Sequence, residues 1–381
     1  MEALTANTLR TGSTVIAVPP HHTATVARRP LSVGLIAPPW VTVPPGLYGG
    51  TEIVVDQLAR GLTARGCDVT LFTAGDSTCP VQRRWHYSHA LSTIADLDAE
   101  LAHVRHAYEV MSNVDIVHDH TLLGPIWARA HGHPGPVVTT MHGRFTPDLI
   151  EQFRTIDDRV EIVAISESQR RSAVGVRINR VIHHGLDLGA FPFGGGDGGY
   201  VLFLGRMSPD KGAHRAIEIA RAAGRKILLA AKMWEPCEHR YFAEQVEPLL
   251  GDDAIFLGAV GGPDKLDLLG RAAALVNPIR WPEPFGLVMI EALACGTPVL
   301  SFPEGAAPEI VDHGRTGFLC HDNSDMTARL TQIDRIDRGA CRQSVADRFS
   351  TERMVADHLE LYASVRAAAA ARASRPNVSR R

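Results

Sequence analysis

The sequence predicts an α/β fold made of Rossmann-like units, and three observations carry that prediction. The chain has 381 residues, and at roughly 150 residues per domain this allows two. Short apolar runs rich in β-formers alternate with stretches of helical period, the order expected of a parallel sheet flanked by helices. The run Pro282 to Val299, PEPFGLVMIEALACGTPV, joins a turn to an apolar helix that stops at a glycine, and the start of such a helix favours an anion.

Composition narrows the partners. With 45% apolar and 21% charged residues, the chain can bury a sizeable core. A net charge of −3 leaves no basic excess to attract nucleic acid. An anionic substrate must then be held by local cations and helix ends. The six cysteines form no C-x-x-C pair, which argues against a zinc site or a disulfide framework and fits a reducing cytoplasm. No apolar run approaches the roughly 18 residues of a membrane helix. Residues 1–30 hold a brief STVIAV patch followed by Arg28 and Arg29. A signal peptide carries its positive charge first, so this segment reads as a loose extension.

In chain order, Leu31 to Ala37 is a buried strand ending at Pro38 and Pro39. A turn-rich loop leads to Gly49-Gly50-Thr51-Glu52, and apolar residues at Ile53, Val54, Leu58 and Leu62 mark a helix closed by Gly66. Asp68 to Ala74 is the next strand. The paired glycines let a ligand approach the helix start, although alone they are also what a plain turn needs. Residues 79–113 read as a variable helical stretch. Asp96-Leu97-Asp98 is formally a metal-binding D-x-D, but it lies in a polar helical run and not at a strand end.

Val114 to Val117 runs into His118-Asp119-His120, and Val137 to Met141 into His142-Gly143. Both are strand ends, where open α/β sheets place ligands. His-x-His is not a strong metal spacing, and satisfied buried histidines are common. Val160 to Ser166 is another strand, Ser166 to Arg171 begins a helix, and Arg177 to His184 leads to Gly185-Leu186-Asp187. Gly194 to Gly199 reads as a flexible interdomain linker. Tyr200 to Leu204 opens a second unit, and its strand runs into Gly205-Arg206-Met207-Ser208-Pro209-Asp210-Lys211-Gly212 before another helix. The fork of Arg206 and the point charge of Lys211 suit a diphosphate. Lys226 to Ala231, Ile255 to Leu257, Ala272 to Pro278, Val299 to Phe302 and Gly314 to Leu319 are the remaining strands. Lys232 ends the first of them. Phe349 to Ala371 is a long helix whose Ala- and Arg-rich tail, from Ala367, is expected to fray.

Glu283 sits in the loop before the helix of the Pro282 run, and Glu291 a turn or two inside it. Phe285, Gly286 and Leu287 form the junction between them. A loop carboxylate accepts from sugar hydroxyls. A charge embedded among Val288, Met289, Ile290, Ala292 and Leu293 needs a partner. Glutamates separated by seven residues in the setting P-E-x-F-G-x-x-x-x-E-A-x-A-x-G-x-P-V resemble the signature of the family 4 retaining glycosyltransferases, of GT-B architecture. Gly49, Gly50 and Glu52 fit that family's G-G-x-E, and Arg206 and Lys211 its G-R-x-x-x-x-K-G. The likeness spans about residues 31–365.

The resemblance implies two Rossmann-like domains facing across a cleft. The expected boundaries are 31–190 for the acceptor side and 191–348 for the nucleotide-sugar side, with 349–381 a helix returning to the first domain. It implies transfer of a hexose-type sugar, with retention, from a UDP- or GDP-sugar used as co-substrate, without a metal or other cofactor. Arg206 and Lys211 would hold the diphosphate and Glu291 the ribose. Glu283 would bind sugar hydroxyls, Gly49 and Gly50 would lie near the leaving group, and His142 beside the reacting sugar. His118 and His120 fit the family pattern more loosely, as groups lining the acceptor side. The acceptor is a small molecule, a glycan or a lipid-linked species. A sugar-nucleotide epimerase of the same architecture and a non-catalytic sugar-nucleotide-binding protein are the alternatives. The epimerase would convert donor without acceptor, and the intact Arg206, Lys211, Glu283 and Glu291 set speaks against the binding protein.

Overall fold

The computed structural model of the chain describes residues 29–47, 49–91, 93, 96–156 and 159–374. The expected N-terminal extension, but for its last two residues, lies outside the described residues, as do residues 375–381.

The first half alternates strand and helix. Strands β1 (Ser32–Ile36), β2 (Asp68–Phe72), β3 (Gln82–Arg84), β4 (Ile116–Asp119), β5 (Val137–Thr140), β6 (Val160–Ala164) and β7 (Ile178–Val181) form one parallel sheet in the order β3-β2-β1-β4-β5-β6-β7. Helices α1 (Gly50–Ala64), α2 (Leu97–Val110), α3 (Gly124–His131), α4 (Pro147–Arg154) and α5 (Glu167–Ser172) connect them. The strands read as apolar runs because helices cover both faces. Val33, Leu35 and Leu71 face one buried cluster with α1, and Ile36, Phe72 and Val117 face another with α2.

The second half repeats the plan. Strands β8 (Tyr200–Arg206), β9 (Lys226–Lys232), β10 (Ala254–Gly258), β11 (Leu275–Asn277), β12 (Val299–Ser301) and β13 (Gly317–Leu319) form a six-stranded parallel sheet in the order β10-β9-β8-β11-β12-β13. Helices α6 (Ala213–Ala222), α7 (Pro236–Tyr241), α8 (Gly262–Arg271), α9 (Leu287–Ala294), α10 (Ala307–Ile310), α11 (Asn323–Leu330) and α12 (Arg338–Arg348) accompany it. The last helix, α13 (Thr351–Ala373), returns to the first half. Its Met354, Val355, Leu361 and Tyr362 are buried in the core beneath α1, and Thr351 Oγ1 meets Gln57 Oε1 at 3.0 Å.

Each sheet reverses its winding once. In the first the reversal falls between β1 and β4, and in the second between β8 and β11. Loops that diverge at such a point leave a crevice beyond the carboxyl ends of the strands. The loops after β1 and β8 carry Gly49-Gly50 and Arg206-to-Lys211, and the loop after β11 carries Glu283.

Two expectations are corrected. The stretch 79–113 is not helical throughout, because Gln82–Arg84 adds the edge strand β3. Its charged residues, Arg83 and Arg84, suit an edge and carry no alternating apolar signal. The glycine run 194–199 is not a flexible linker. The amides of Gly194, Gly196 and Gly198 donate to the carbonyls of Cys295, Gly270 and Arg271 at 3.0, 3.1 and 2.9 Å, and a Cβ on Gly194 would stand 2.1 Å from the Gly270 carbonyl oxygen. The alanine-rich tail stays helical through Ala373.

Candidate active site in the cleft

Glu283 and Glu291 are presented by one junction. Gly286 caps α9 at φ 91°, a left-handed conformation open to glycine, and turns the chain from the Glu283 loop into the helix. Glu283 accepts from Lys211 Nζ and from Trp281 Nε1 at 2.9 Å, so both its position and its charge are held. Glu291 is 6% exposed and accepts from Lys265 Nζ at 2.8 Å. The partner that its apolar helix demanded is therefore on α8, and sequence reasoning did not find it.

Arg206 ends β8. Its Nε lies 3.4 Å from Glu238 Oε1, while Glu238 Oε2 accepts the amides of Trp234 and Glu235 at 2.8 and 3.1 Å. Glu238 thus anchors Arg206 from the start of α7, and the Arg206 side chain remains 43% exposed. Lys232 ends β9, the neighbouring strand, with Nζ 3.7 Å above the Trp234 ring. Burial pulls the Lys232 ammonium down to about 8, against the opposing effect of Glu238.

From the other half, the start of α1 closes on this group. A Cβ on Gly50 would stand 3.3 Å from Leu287 Cδ1 of α9, and one on Gly49 would stand 2.7 Å from Glu52 Oε2. Gly50 therefore allows the close approach of the two helix starts, whose unpaired amides favour an anion between them, while Gly49 makes room for Glu52 and Pro45 of its own segment. Glu52 is 5% exposed. Burial raises its carboxyl to about 7, and Lys232 only partly offsets this.

One cavity of about 440 Å³ joins these parts, a size suited to a small ligand. Gly49, Gly50, His142, Arg206, Lys211, Glu283, Phe285, Gly286, Leu287 and Glu291 all line it. Its first-half wall also includes Trp40, Val41 and Leu47, which belong to a loop of ordinary turn composition and gave no signal in the sequence. Trp281 and Arg280, in the same loop as Glu283, do not line the cavity. Trp281 holds Glu283 and Arg280 covers the Phe302 ring.

His118 and His120 are corrected. Neither lines the cleft. His118 is fully buried, with Nδ1 2.7 Å from the Tyr362 hydroxyl and Nε2 2.8 Å from Thr140 Oγ1. His120 lies behind His142, its Nδ1 2.8 Å from His142 Nε2. The ring of His184 stacks on His142 at 5.2 Å and also lines the cavity. Burial holds His118, His120 and His184 well below the ordinary imidazole range and pushes His142 down to about 3. The cluster is neutral at pH 7.

The two halves are clasped beside the cleft. Glu309 of α10 accepts the amides of Glu167 and Ser168 at the start of α5, at 2.8 and 2.7 Å, and pairs with His183 Nε2 at 2.8 Å. Burial alone would raise the Glu309 carboxyl, but these bonds outweigh it and hold it low. Asp96, first of the formal D-x-D, instead caps α2 by accepting from Ala99 N at 3.1 Å.

Two facing Rossmann-like halves with a single anion-ready cleft between them define the GT-B class of glycosyltransferases. Residues 48–190 match the model of Glycosyltransferase Family 4, and residues 195–338 that of Glycosyl transferases group 1. The chain belongs to the family 4 glycosyltransferases. It is 23% identical over 331 residues to the putative glycosyltransferase YtcC of Bacillus subtilis (strain 168), covering 76% of this chain and 80% of that protein. It is 28% identical over 344 residues to the D-inositol 3-phosphate glycosyltransferase of Acidothermus cellulolyticus, covering 72% and 75%. Among solved structures it resembles AviGT4, a glycosyltransferase involved in avilamycin A biosynthesis, with a TM-score of 0.68 at 25% identity over 89% of this chain and 98% of that one. The Anabaena protein HepE, solved in complex with UDP-glucose, shares the fold with a TM-score of 0.71 at 18% identity, over 88% and 100%. No helix among the described residues is long and apolar enough to cross a membrane.

Proposed function

We propose that this chain is a cytoplasmic, retaining hexosyltransferase that moves a sugar from a UDP- or GDP-sugar to the hydroxyl of a small-molecule, glycan or lipid-linked acceptor, without a metal. The observation that carries the reading is the convergence of Arg206, Lys211, Glu283, Glu291 and His142 on one cavity with the starts of α1 and α9. The donor's diphosphate lies against Arg206 and Lys211. These two cations, with the helix starts, oppose the charge that grows on the departing diphosphate, the task that a divalent ion performs in metal-dependent enzymes. Glu291 receives the ribose hydroxyls and Glu283 those of the sugar. His142 stands beside the reacting sugar. The anomeric carbon–phosphate oxygen bond breaks as the acceptor oxygen bonds to the same face, and the acceptor proton passes to the leaving phosphate.

A thermal-shift panel of UDP, GDP, ADP and dTDP, each alone and as a sugar conjugate, tests the reading. A ligand at a hundred times its dissociation constant adds about 2.7 kcal/mol, which raises the melting temperature by several degrees. One base standing out, and losing its shift in Arg206→Ala, is the expected result. A flat panel would sink the donor-site assignment.

A further inference from the structure

Four histidines, His118, His120, His142 and His184, run in ring contact from the interior of the first half to the cleft. Only His142 and His184 reach the cavity. The others raise the question of what a buried imidazole does behind a substrate-facing one.

The hydrogen bonding answers it. His120 and His142 are both neutral, so each ring carries one proton. They share a single bond, His120 Nδ1 to His142 Nε2 at 2.8 Å, in which one ring donates and the other accepts. His120 is 5% exposed, and its Nε2 is buried with no partner among the described residues. If His142 donated, His120 would have to carry its proton on that Nε2, an orphaned buried N–H. If His120 donates, its Nε2 is a bare lone pair. Orphaned buried N–H groups are the rarer of the two.

Two other buried histidines in this chain resolve the same choice without ambiguity. His358 Nδ1 lies 2.8 Å from the Met354 carbonyl, and His103 Nε2 lies 2.9 Å from the Ala37 carbonyl. A carbonyl only accepts, so the bonded nitrogen carries the proton in each. The remaining nitrogens, His358 Nε2 and His103 Nδ1, are buried without partners among the described residues. In both rings the orphan is a lone pair.

We infer that His120 is a positioning residue that fixes the tautomer of His142. His120 donates from Nδ1, His142 accepts at Nε2, and the single proton of His142 is therefore on Nδ1. That nitrogen has no hydrogen-bonding partner among the described residues, and the ring lines the cleft. His142 thus meets the sugar as a donor, complementing Glu283, which as a carboxylate can only accept. The assignment rests on the reading of the cleft as a nucleotide-sugar site only for the identity of what the Nδ1–H meets.

The test is a two-bond proton–nitrogen correlation spectrum of the whole protein with 15N-labelled histidine, with the His142 pattern identified by its loss in His142→Gln. The expected pattern has His142 protonated at Nδ1. That state is retained in His120→Asn, whose amide nitrogen replaces the Nδ1 donor, and is lost in His120→Phe. In His120→Phe the affinity for UDP-glucose or GDP-mannose, relative to bare UDP or GDP, falls about three- to tenfold, the loss of one neutral hydrogen bond, and His120→Asn recovers most of it. A wild-type His142 protonated at Nε2 overturns the inference. So does an unchanged Nδ1 proton in a folded His120→Phe. If His120→Phe does not fold, the wild-type and His120→Asn spectra still decide. A correct tautomer whose signals do not move with either sugar nucleotide leaves the positioning role in place and overturns the sugar contact.

Discussion

Glu291 lies in the second turn of an apolar helix with its carboxylate on Lys265 Nζ at 2.8 Å, and the two side chains are only 7% and 18% exposed. Removing one partner of a buried pair leaves the other uncompensated, at about 3–5 kcal/mol in full burial. Partial exposure of the lysine places the expected loss for Lys265→Met at or below the lower end, about 3 kcal/mol. Adding Glu291→Leu should restore much of that stability while removing the ribose-binding carboxylate and weakening nucleotide binding. Calorimetric melting of the single and double variants checks this, and a double variant less stable than Lys265→Met would refute it. Glu283, Glu291, Arg206 and Lys211 were legible in the sequence because each belongs to a local motif. Lys265 was not. It is 26 residues upstream of its partner, in the run GPDKLDLLG, which reads as an ordinary amphipathic helix. A local pattern shows that Glu291 needs a cation but not where the fold supplies one.

At the scale of elements, α13 was legible from its apolar period, and its seat on α1 was not. Val355 packs into the notch that Gly61 leaves in the last turn of α1, where a Cβ would lie 2.4 Å from Val355 Cγ2. Propensity alone favours Gly61→Ala by about 1 kcal/mol in a helix interior. Overpacking of a well-filled contact costs about 1–3 kcal/mol. A separation of 2.4 Å cannot be relieved by small shifts, so sterics win and Gly61→Ala should destabilise by about 1–2 kcal/mol. Combining it with Val355→Ala opens the notch, and the pair should melt higher than the sum of the separate losses predicts. A stabilised Gly61→Ala would show that α13 moves aside freely. The edge strand β3 shows the limit of pattern reading at this scale. Its three residues, Gln-Arg-Arg, pair through the backbone with one side-chain bond, Thr70 Oγ1 to Gln82 Oε1 at 3.1 Å, and carry no apolar alternation, so side-chain periodicity cannot reveal it.

For the whole molecule, the two-unit plan was legible because parallel strands buried on both faces read as apolar runs at regular spacing. The facing of the two sheets and the return of α13 were implied by the family resemblance and by no local pattern, because they depend on long-range contacts such as the Glu309 clasp. The histidines packed between those parts give the molecule a common pH response. Burial lowers His103 and His358 to about 4 and His142 to about 3, and holds His118, His120 and His184 well below 6.5. In the unfolded chain each takes up a proton near pH 6.5. As pH falls below 6.5 the unfolded state therefore binds protons that the folded state refuses, and stability drops by about 1.4 kcal/mol per pH unit for each such group. Glu52 and Asp119 act with the opposite sign. Their carboxyls are raised to about 7 and about 6 by burial, so the folded state gains protons first and they favour folding as pH falls toward 4.5. His214, also lowered by burial, joins the six, and Glu100, also raised by burial, joins the two; seven groups oppose three, and the histidines win. The melting temperature should be highest above pH 7 and fall steeply between about pH 6.5 and 4.5. Replacing His118, which lies wholly in the interior, by Phe should flatten that slope by about one group's share, although loss of its bonds to Tyr362 and Thr140 lowers stability at pH 8. A melting temperature that stays level or rises from pH 6.5 to 5 would mean that the histidine cluster opens and protonates within the folded state.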